Sequence, residues 1–172
     1  MVSKKNALSV GTLDSDIPFI PPLFVATMIA LGLILHFGLK KTPFLPKVFK
    51  NIYFRASFFI AVAAFARYLV TTCDEIMIEH GSGVFFTDVE GIVTDQWPFN
   101  LSRNPLYCGL CFLVIPATAI AFDSVFVLLA IVPTWLYFSC IVIPREEALL
   151  MAYFPKQFEN YMISTPRWLL KW

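Results

Sequence analysis

The stretch LYCGLCFLVIPATAIAFDSVFVLLAIVPTWLYFSCIVI, residues 106–143, contains a single formal charge, on Asp123. Residues 106–122 and 124–143 are each close to the length of about 20 apolar residues that crosses a bilayer. Asp123 and Ser124 leave almost no room for a loop between the two segments. The stretch therefore predicts two transmembrane helices that pack antiparallel as a tight hairpin.

The composition of the whole chain also indicates a membrane protein. Of its 172 residues, 58% are hydrophobic and 15% are charged, and the mean hydropathy is +0.72. Soluble domains contain about 45–50% apolar and about 25% charged residues. The length favours one domain, residues 1–172, and the net charge of +1 gives no sign of a nucleic-acid partner.

Two further apolar segments precede the hairpin. Residues 17–39 and 51–72 are long enough to cross the bilayer, so the chain is expected to be an all-α integral membrane protein with about four transmembrane helices. The run that follows Asp14 and Asp16 is too long for the core of a signal peptide, and we interpret it as a retained helix. Arg67 lies deep in the second segment, where it either faces a polar site or extends to the membrane surface.

Polar sequence flanks the hairpin on both sides. Residues 73–103 form a long acidic loop, and residues 144–172 form a polar cap whose apolar spacing predicts a helix at the membrane interface. With four spans, the loop and the cap lie on one side of the membrane. The connector between the first two spans lies on the other side and is basic, with Lys40, Lys41, Lys47 and Lys50. The positive-inside rule would place this connector in the cytosol.

Four cysteines are present, and Cys108 and Cys111 have the spacing of a C-x-x-C pair. No second close pair accompanies them, and both lie in an apolar helical run. A metal site is therefore not expected. We interpret these two cysteines as small packing residues inside the helix bundle.

Two motifs occupy the open ends of the hairpin. The first, SRNPLYCG at residues 102–109, begins the third span, where Ser102 or Asn104 is expected to cap the helix and Pro105 suits its first turn. A helix start does not explain Arg103, because its positive charge meets the positive end of the helix dipole. Arg103 therefore needs an anionic partner, which the sequence leaves open between a lipid phosphate, a substrate and a carboxylate.

The second motif, PREEALL at residues 144–150, begins the polar cap. Glu146 and Glu147 suit the first turn of a helix because their charges complement its dipole. Adjacent residues of a helix project about 100° apart, so one glutamate can face the hairpin while the other faces solvent or Arg145. A carboxylate beside Tyr107 could accept hydrogen bonds from a ribose diol or an ammonium group.

Together these motifs resemble the isoprenylcysteine carboxyl methyltransferase and phospholipid methyltransferase superfamily, and in particular its small members. The resemblance covers about half of the chain, with the hairpin between its two halves. It rests on Ile92-Val93-Thr94, Pro98-Phe99, SRNPLYCG at 102–109, PREEALL at 144–150, the run 153–161 and Pro166-Arg167.

The resemblance implies transfer of a methyl group from S-adenosylmethionine to a lipophilic acceptor, such as a prenylcysteine carboxylate or a phospholipid amine. It implies a catalytic face in the cytosol, on the endoplasmic reticulum of a eukaryote or the cytoplasmic membrane of a prokaryote, and no metal. By position, Arg145 and Glu146 would be the catalytic residues. The cofactor would contact Gly91, Ile92, Val93, Phe99, Asn104, Pro105, Leu106, Tyr107, Glu146 and Glu147.

Several positions depart from the pattern of the family. Gln96 and Trp97 replace a glycine, Phe154-Pro155 replaces Phe-Gly, and Val142 occupies the position of a substrate-binding arginine. These departures weaken the case for a prenylated cysteine as the substrate. The missing glycine and the uneven distribution of charge also favour an alternative, in which a non-catalytic membrane adaptor retains the hairpin for packing. The presence of both motifs at the two open ends of the hairpin favours the enzyme.

Overall fold

The computed structural model describes residues 20–39, 43–79 and 95–170, and within these ranges it contains helices and no strand. The helices are α1 (Pro21–Gly38), α2 (Ile52–Glu79), α3 (Pro105–Phe122), α4 (Val125–Tyr153) and α5 (Pro155–Ser164), with a 3₁₀ turn at Lys47–Lys50. The first four are long and apolar enough to cross a membrane. The predicted all-α membrane protein with four transmembrane helices is thereby confirmed.

The starts of α1 and α2 follow local sequence signals. Pro21 and Pro22 occupy the first turn of α1, where a missing N–H costs no helical hydrogen bond. α2 begins after Asn51, whose side-chain oxygen accepts a hydrogen bond from the amide of Tyr53 at 2.9 Å. Such a bond satisfies one of the amides that have no partner at a helix start.

α2 continues beyond Thr72, where hydropathy predicts the end of the second span, to Glu79. Residues 73–79, which were expected to begin a loop, are therefore helical. α2 contacts the first turn of α3, and the extension contributes buried side chains. The buried side chains of this extension are Cys73, Ile76 and Met77.

The hairpin closes at Asp123 and Ser124. Asp123 has a φ of 52°, a left-handed conformation that aspartate adopts more readily than most residues. The amide of Ser124 bonds to the carbonyl of Ala119 at 2.9 Å, and Ser124 Oγ accepts a hydrogen bond from the amide of Val127 at 3.3 Å. These two residues thus end α3 and begin α4, which confirms the predicted tight hairpin.

Each helix of the hairpin contains one widened π turn, at Leu110–Val114 in α3 and at Phe138–Val142 in α4. In both, the residue just before a proline, Pro116 or Pro144, bonds to the carbonyl five residues back. Proline lacks an N–H and its ring crowds the preceding turn, so the widened turn accommodates it. α4 consequently runs through Pro144, and the second motif lies on the same helix as the fourth span.

The hairpin forms the centre of the bundle. α1 packs against the first part of α4, and α2 packs against α3. Hairpin side chains such as Ile115, Phe138 and Val142 dominate the buried core. α1 and α2 bury a much smaller share of their residues, so their apolar faces meet lipid. Arg67 is exposed on α2 and does not face the interior of the bundle.

α5 is the amphipathic helix that the apolar spacing of the polar cap predicts. Phe158 and Tyr161 are buried, whereas Lys156 and Glu159 are exposed. The helix packs against the last part of α4. A helix with one apolar and one charged face suits the boundary between membrane and water.

Gly32 provides a test of the packing between α1 and α4. A Cβ added there would lie 2.9 Å from the Cα of Val127 and 3.0 Å from the carbonyl oxygen of Phe126. Gly32→Ala is expected to lower the stability by about 1–3 kcal/mol, because backbone atoms cannot move aside as a side chain can. Gly38→Ala is the matched control, since nothing lies within 4 Å of its added Cβ. Equal thermal unfolding midpoints in detergent for the two variants would contradict this close contact.

Candidate active site

The two motifs meet at the open end of the hairpin. Here the first turn of α3 and the last part of α4 are joined by the tail segment, defined as residues 165–168, which follows α5. The backbone amide of Arg103 donates to the carbonyl of Pro166 at 2.9 Å. Segments that lie far apart in the sequence therefore form one corner of the molecule.

Ser102 and Asn104 both bind the tail segment. Ser102 Oγ donates to the carbonyl of Arg167 at 3.1 Å, and Asn104 Nδ2 donates to the same carbonyl at 3.0 Å. The amide of Asn104 donates to Ser102 Oγ at 3.0 Å. Asn104 occupies the N-cap position of α3 without making a side-chain capping bond. Of the two residues expected to cap α3, Ser102 or Asn104, Asn104 makes no capping bond, and its amide group instead donates to the Arg167 carbonyl of the tail segment.

The anionic partner of Arg103 is a carboxylate. Arg103 Nη2 lies 2.9 Å from Glu147 Oε1, and both side chains are nearly buried, with 10% and 12% of their surface exposed. Arg103 Nη1 also donates to the carbonyl of Thr165 at 2.6 Å and to that of Met162 at 3.3 Å. These carbonyls end α5, where the helix dipole favours a positive charge. The sequence left open whether this partner is a lipid phosphate, a substrate or a carboxylate, and the structure shows a carboxylate.

Glu147 joins two arginines. Its Oε1 accepts a hydrogen bond from Arg167 Nε at 3.1 Å as well as from Arg103, and its Oε2 is paired with Arg167 Nη2. Paired arginine and carboxylate groups of this kind hold a fixed geometry. Both oxygens of Glu147, which the motif resemblance assigns to the cofactor, are therefore engaged within the protein.

Glu146 of the second motif contacts Tyr107 of the first motif. Tyr107 donates its hydroxyl to Glu146 Oε1 at 2.5 Å, across 39 residues of sequence. The ring of Tyr107 lies 4.5 Å from the ring of Phe138, which is fully buried in α4. Glu146 is half-buried, so its carboxylate lies at the boundary between the core and the outside. One glutamate thus faces the hairpin, as its helical spacing predicts. The other, Glu147, does not face solvent, because Arg103 and Arg167 enclose its carboxylate.

The loop before α3 is held by Tyr161 of α5. Its hydroxyl donates to the carbonyl of Phe99 at 2.6 Å. Burial raises the pKa of Tyr161 far above its usual value. The hydroxyl therefore keeps its proton and remains a hydrogen-bond donor. Phe99, a predicted cofactor contact, thus lies on a fixed loop at this corner.

The other predicted site residues that the structure describes lie within two positions of Asn104 or Glu146 in the sequence. Pro105 is buried and Leu106 is half-buried in the first turn of α3, and Arg145 is half-buried beside Glu146. Three predicted cofactor contacts lie outside the described residues, namely Gly91, Ile92 and Val93.

Sequence reasoning missed three residues that build this corner, Tyr161, Thr165 and Arg167. Tyr161 and Arg167 belong to the motifs on which the family resemblance rests, and that membership could have identified them. Thr165 contributes its backbone carbonyl, a contact that carries no signal in the sequence.

The sequence model of one protein family matches residues 56–157, more than half of the chain, and its description is phospholipid methyltransferase. The chain belongs to the phospholipid methyltransferase family. No curated protein and no solved structure matches the chain.

This membership in the phospholipid methyltransferase family confirms the resemblance carried by the motifs, and it supports a methyltransferase embedded in the membrane. The matched region runs from α2 to the first turn of α5, so it includes Tyr107 and Glu146. It ends before Arg167. The tail segment that holds Ser102 and Asn104 therefore lies beyond the residues that define the match.

Of the four cysteines, Cys73, Cys108 and Cys111 are buried and Cys140 is exposed. Cys108 and Cys111 are free thiols, and both are buried in the core. Cys108 Sγ lies 3.3 Å from Ser102 Oγ. Among residues 20–39, 43–79 and 95–170, no group of three or more His, Cys, Asp or Glu side chains could hold a metal ion.

Glu147→Ala tests whether the ion cluster holds the tail segment. The substitution is expected to cost about 3 kcal/mol, because it leaves the nearly buried Arg103 without its carboxylate. The measurement is the thermal unfolding midpoint of the purified chain in detergent. Glu159→Ala is the control, since Glu159 is exposed on α5. A shift no larger than that of the control would mean that the cluster adds nothing to stability.

Proposed function

We propose that the chain transfers a methyl group from S-adenosylmethionine to a lipophilic acceptor at the open end of the hairpin. The observation that carries this proposal is the hydrogen bond from Tyr107 to Glu146 at 2.5 Å. It joins the two motifs in a chain of the phospholipid methyltransferase family. The methyl donor is the one that the motif resemblance implies.

The chemistry of this corner fits such a donor. S-adenosylmethionine carries a sulfonium cation, an ammonium group and ribose hydroxyls, and when bound it supplies an electrophilic methyl group. The carboxylate of Glu146 can accept hydrogen bonds from the ammonium or the hydroxyls. The ring of Tyr107, which packs against the buried ring of Phe138, provides an aromatic face, and aromatic faces attract cations.

In this proposal the two glutamates have different roles. Glu146 would bind the donor directly, whereas Glu147 would contribute through the arginines that it joins, Arg103 and Arg167. The proposed cofactor-binding residues are Gly91, Ile92, Val93, Phe99, Asn104, Pro105, Leu106, Tyr107 and Glu146, with Glu147 acting indirectly through its arginines.

The transfer itself is an in-line displacement, which needs alignment and exclusion of water more than strong acid–base chemistry. Glu146, held by Tyr107, would fix the orientation of the donor. Arg145 precedes it on the same turn of α4 and is half-buried, so its guanidinium would bind an anionic part of the acceptor. Arg145 and Glu146 are therefore the proposed catalytic residues.

The acceptor is proposed to be lipophilic because the site lies at the end of four apolar helices. A phospholipid amine is the first candidate, since the description of the family names phospholipids. A prenylcysteine carboxylate is the second. Both combine hydrocarbon that partitions into the bilayer with a reactive polar group that stays at its surface.

A non-catalytic membrane adaptor is the second candidate function. It is favoured by Ser102, Asn104 and Glu147, whose polar groups bind other parts of the chain. An adaptor would keep these packing contacts without binding a methyl donor. Donor binding therefore discriminates between the two functions.

Isothermal titration calorimetry with S-adenosylhomocysteine, the demethylated donor, tests the proposed enzyme. The wild-type chain in detergent is expected to bind it, and Glu146→Gln is expected to bind at least about tenfold more weakly. A hydrogen bond to a charged group contributes about 1.5–3 kcal/mol. Glu159→Gln, which removes an exposed carboxylate from α5, should bind as the wild type does. No binding by the folded wild-type chain would favour the adaptor, and unchanged affinity of Glu146→Gln would remove Glu146 from the site.

We also propose that the open end of the hairpin faces the cytosol, as the motif resemblance implies. The basic connector opposes this orientation, because positive charge favours the cytosolic side. That rule is a bias, so other determinants of topology can outweigh it. Alternatively, the connector binds anionic headgroups in the opposite leaflet.

Cysteine labelling in sealed membranes tests the orientation. Lys156→Cys, exposed on α5, is expected to react with a membrane-impermeant maleimide only when the cytosolic side is accessible. Lys47→Cys, at the opposite end of the bundle, should show the reverse pattern. The unaltered chain provides the background, since Cys140 is also exposed. Reaction of Lys156→Cys only from the outer side would contradict the proposed orientation.

A further inference from the structure

The end of the molecule opposite the proposed site is an ordered surface. There Phe44 and Leu45 of the connector lie against the closed end of the hairpin. Asp123 Oδ1 accepts hydrogen bonds from the amides of Phe44 at 3.0 Å and Leu45 at 2.9 Å. Arg55 Nε donates to the carbonyl of Ala121, which lies in the last turn of α3, at 3.1 Å. These bonds fix the described part of the connector, from residue 43 onward, to the bundle.

This surface is positively charged. Lys47 and Lys50 are both exposed, and they lie three residues apart in a 3₁₀ turn, which places them on the same side. The sequence contains no Asp or Glu between Asp16 and Asp74. Asp123, the carboxylate of the hairpin turn, is 8% exposed and accepts hydrogen bonds from the connector. The lysines therefore meet no exposed carboxylate from their own connector or from the hairpin turn.

Aromatic side chains stand beside the lysines. The rings of Phe49 and Phe54 lie 5.5 Å apart, and those of Phe54 and Phe58 lie 6.3 Å apart. This row runs from the 3₁₀ turn along the first turns of α2. Phe49 and Phe54 are exposed, and so is the neighbouring Tyr53. Exposed aromatic rings next to basic residues are typical of a surface at the boundary between headgroups and hydrocarbon.

We propose that this connector surface, formed by Lys47, Phe49, Lys50 and Phe54, binds an anionic phospholipid in the leaflet opposite the methyl-transfer site. The ammonium groups of the two lysines contact the negatively charged headgroup, and the phenylalanine rings contact the acyl chains. Basic residues beside a membrane segment attract acidic lipids in this way. The surface acts independently of methyl transfer.

A lipid matches this surface better than an acidic protein does. An acidic protein would neutralise Lys47 and Lys50 but would give the rings of Phe49 and Phe54 no hydrocarbon to enter. The surface also lies where α1 ends and α2 begins, which is the membrane boundary of two apolar helices. Headgroup and acyl chain are both present at that depth.

Titration with soluble short-chain lipids tests the proposal on the full-length chain in detergent. Short-chain phosphatidylglycerol is expected to bind the wild type more tightly than short-chain phosphatidylcholine. The double variant Lys47→Gln/Lys50→Gln should bind phosphatidylglycerol about 30-fold more weakly, since one lysine near an anionic surface contributes about fivefold. The preference should disappear at 1 M salt, where the screening length is about 3 Å.

Lys156→Gln is the matched control, because it removes an exposed lysine from α5 at the other end of the molecule. This control should bind phosphatidylglycerol as the wild type does. Equal binding of the two lipids by the wild type, or an unchanged affinity of the double variant, would overturn the proposal. The double variant should still bind S-adenosylhomocysteine as the wild type does, so the outcome is distinct from that for the methyl-transfer site.

Discussion

At the closed end of the hairpin, two residues turn the chain from α3 into α4. Asp123 takes the left-handed conformation and Ser124 supplies the first cap of α4. With no loop to spare, the two helices must run side by side, and their outer ends must meet at the opposite membrane surface. The contact between Tyr107 and Glu146 follows from this constraint, as does the meeting of the polar loop with the tail segment.

The polar residues at the open end of the hairpin form two separate sets of contacts. Glu147, with Arg103 and Arg167, ties the end of α4 to the tail segment and to the last turn of α5. Such a cluster is stable only while each charge keeps its partner. Glu146 instead bonds to Tyr107 at the edge of the core. The glutamate that two arginines hold thus lies next to the glutamate that contacts Tyr107, an arrangement that suits the proposed methyl transfer, which would depend on alignment.

Features that depend on the length and order of the apolar segments were predictable from the sequence. Hydropathy predicts the hairpin and the four spans, and the hairpin places both motifs at one surface. The partner of Arg103 was not predictable, because the fold brings Glu147 to it from 44 residues away. The cap expected at Asn104 fails for the same reason, since a distant carbonyl takes its amide. The length of α2 was underestimated because hydropathy detects the membrane boundary, whereas the helix continues past it through tertiary contacts of Cys73 and Met77.

We propose that Tyr107 and Glu146 form one unit that binds the methyl donor. A double-mutant cycle measures this directly, with Tyr107→Phe, Glu146→Gln and the double variant titrated with S-adenosylhomocysteine. We expect the double variant to bind S-adenosylhomocysteine no more weakly than the weaker single variant, because either substitution already breaks the unit. Losses in binding free energy that add in full would contradict it, since they would mean that the two side chains act separately.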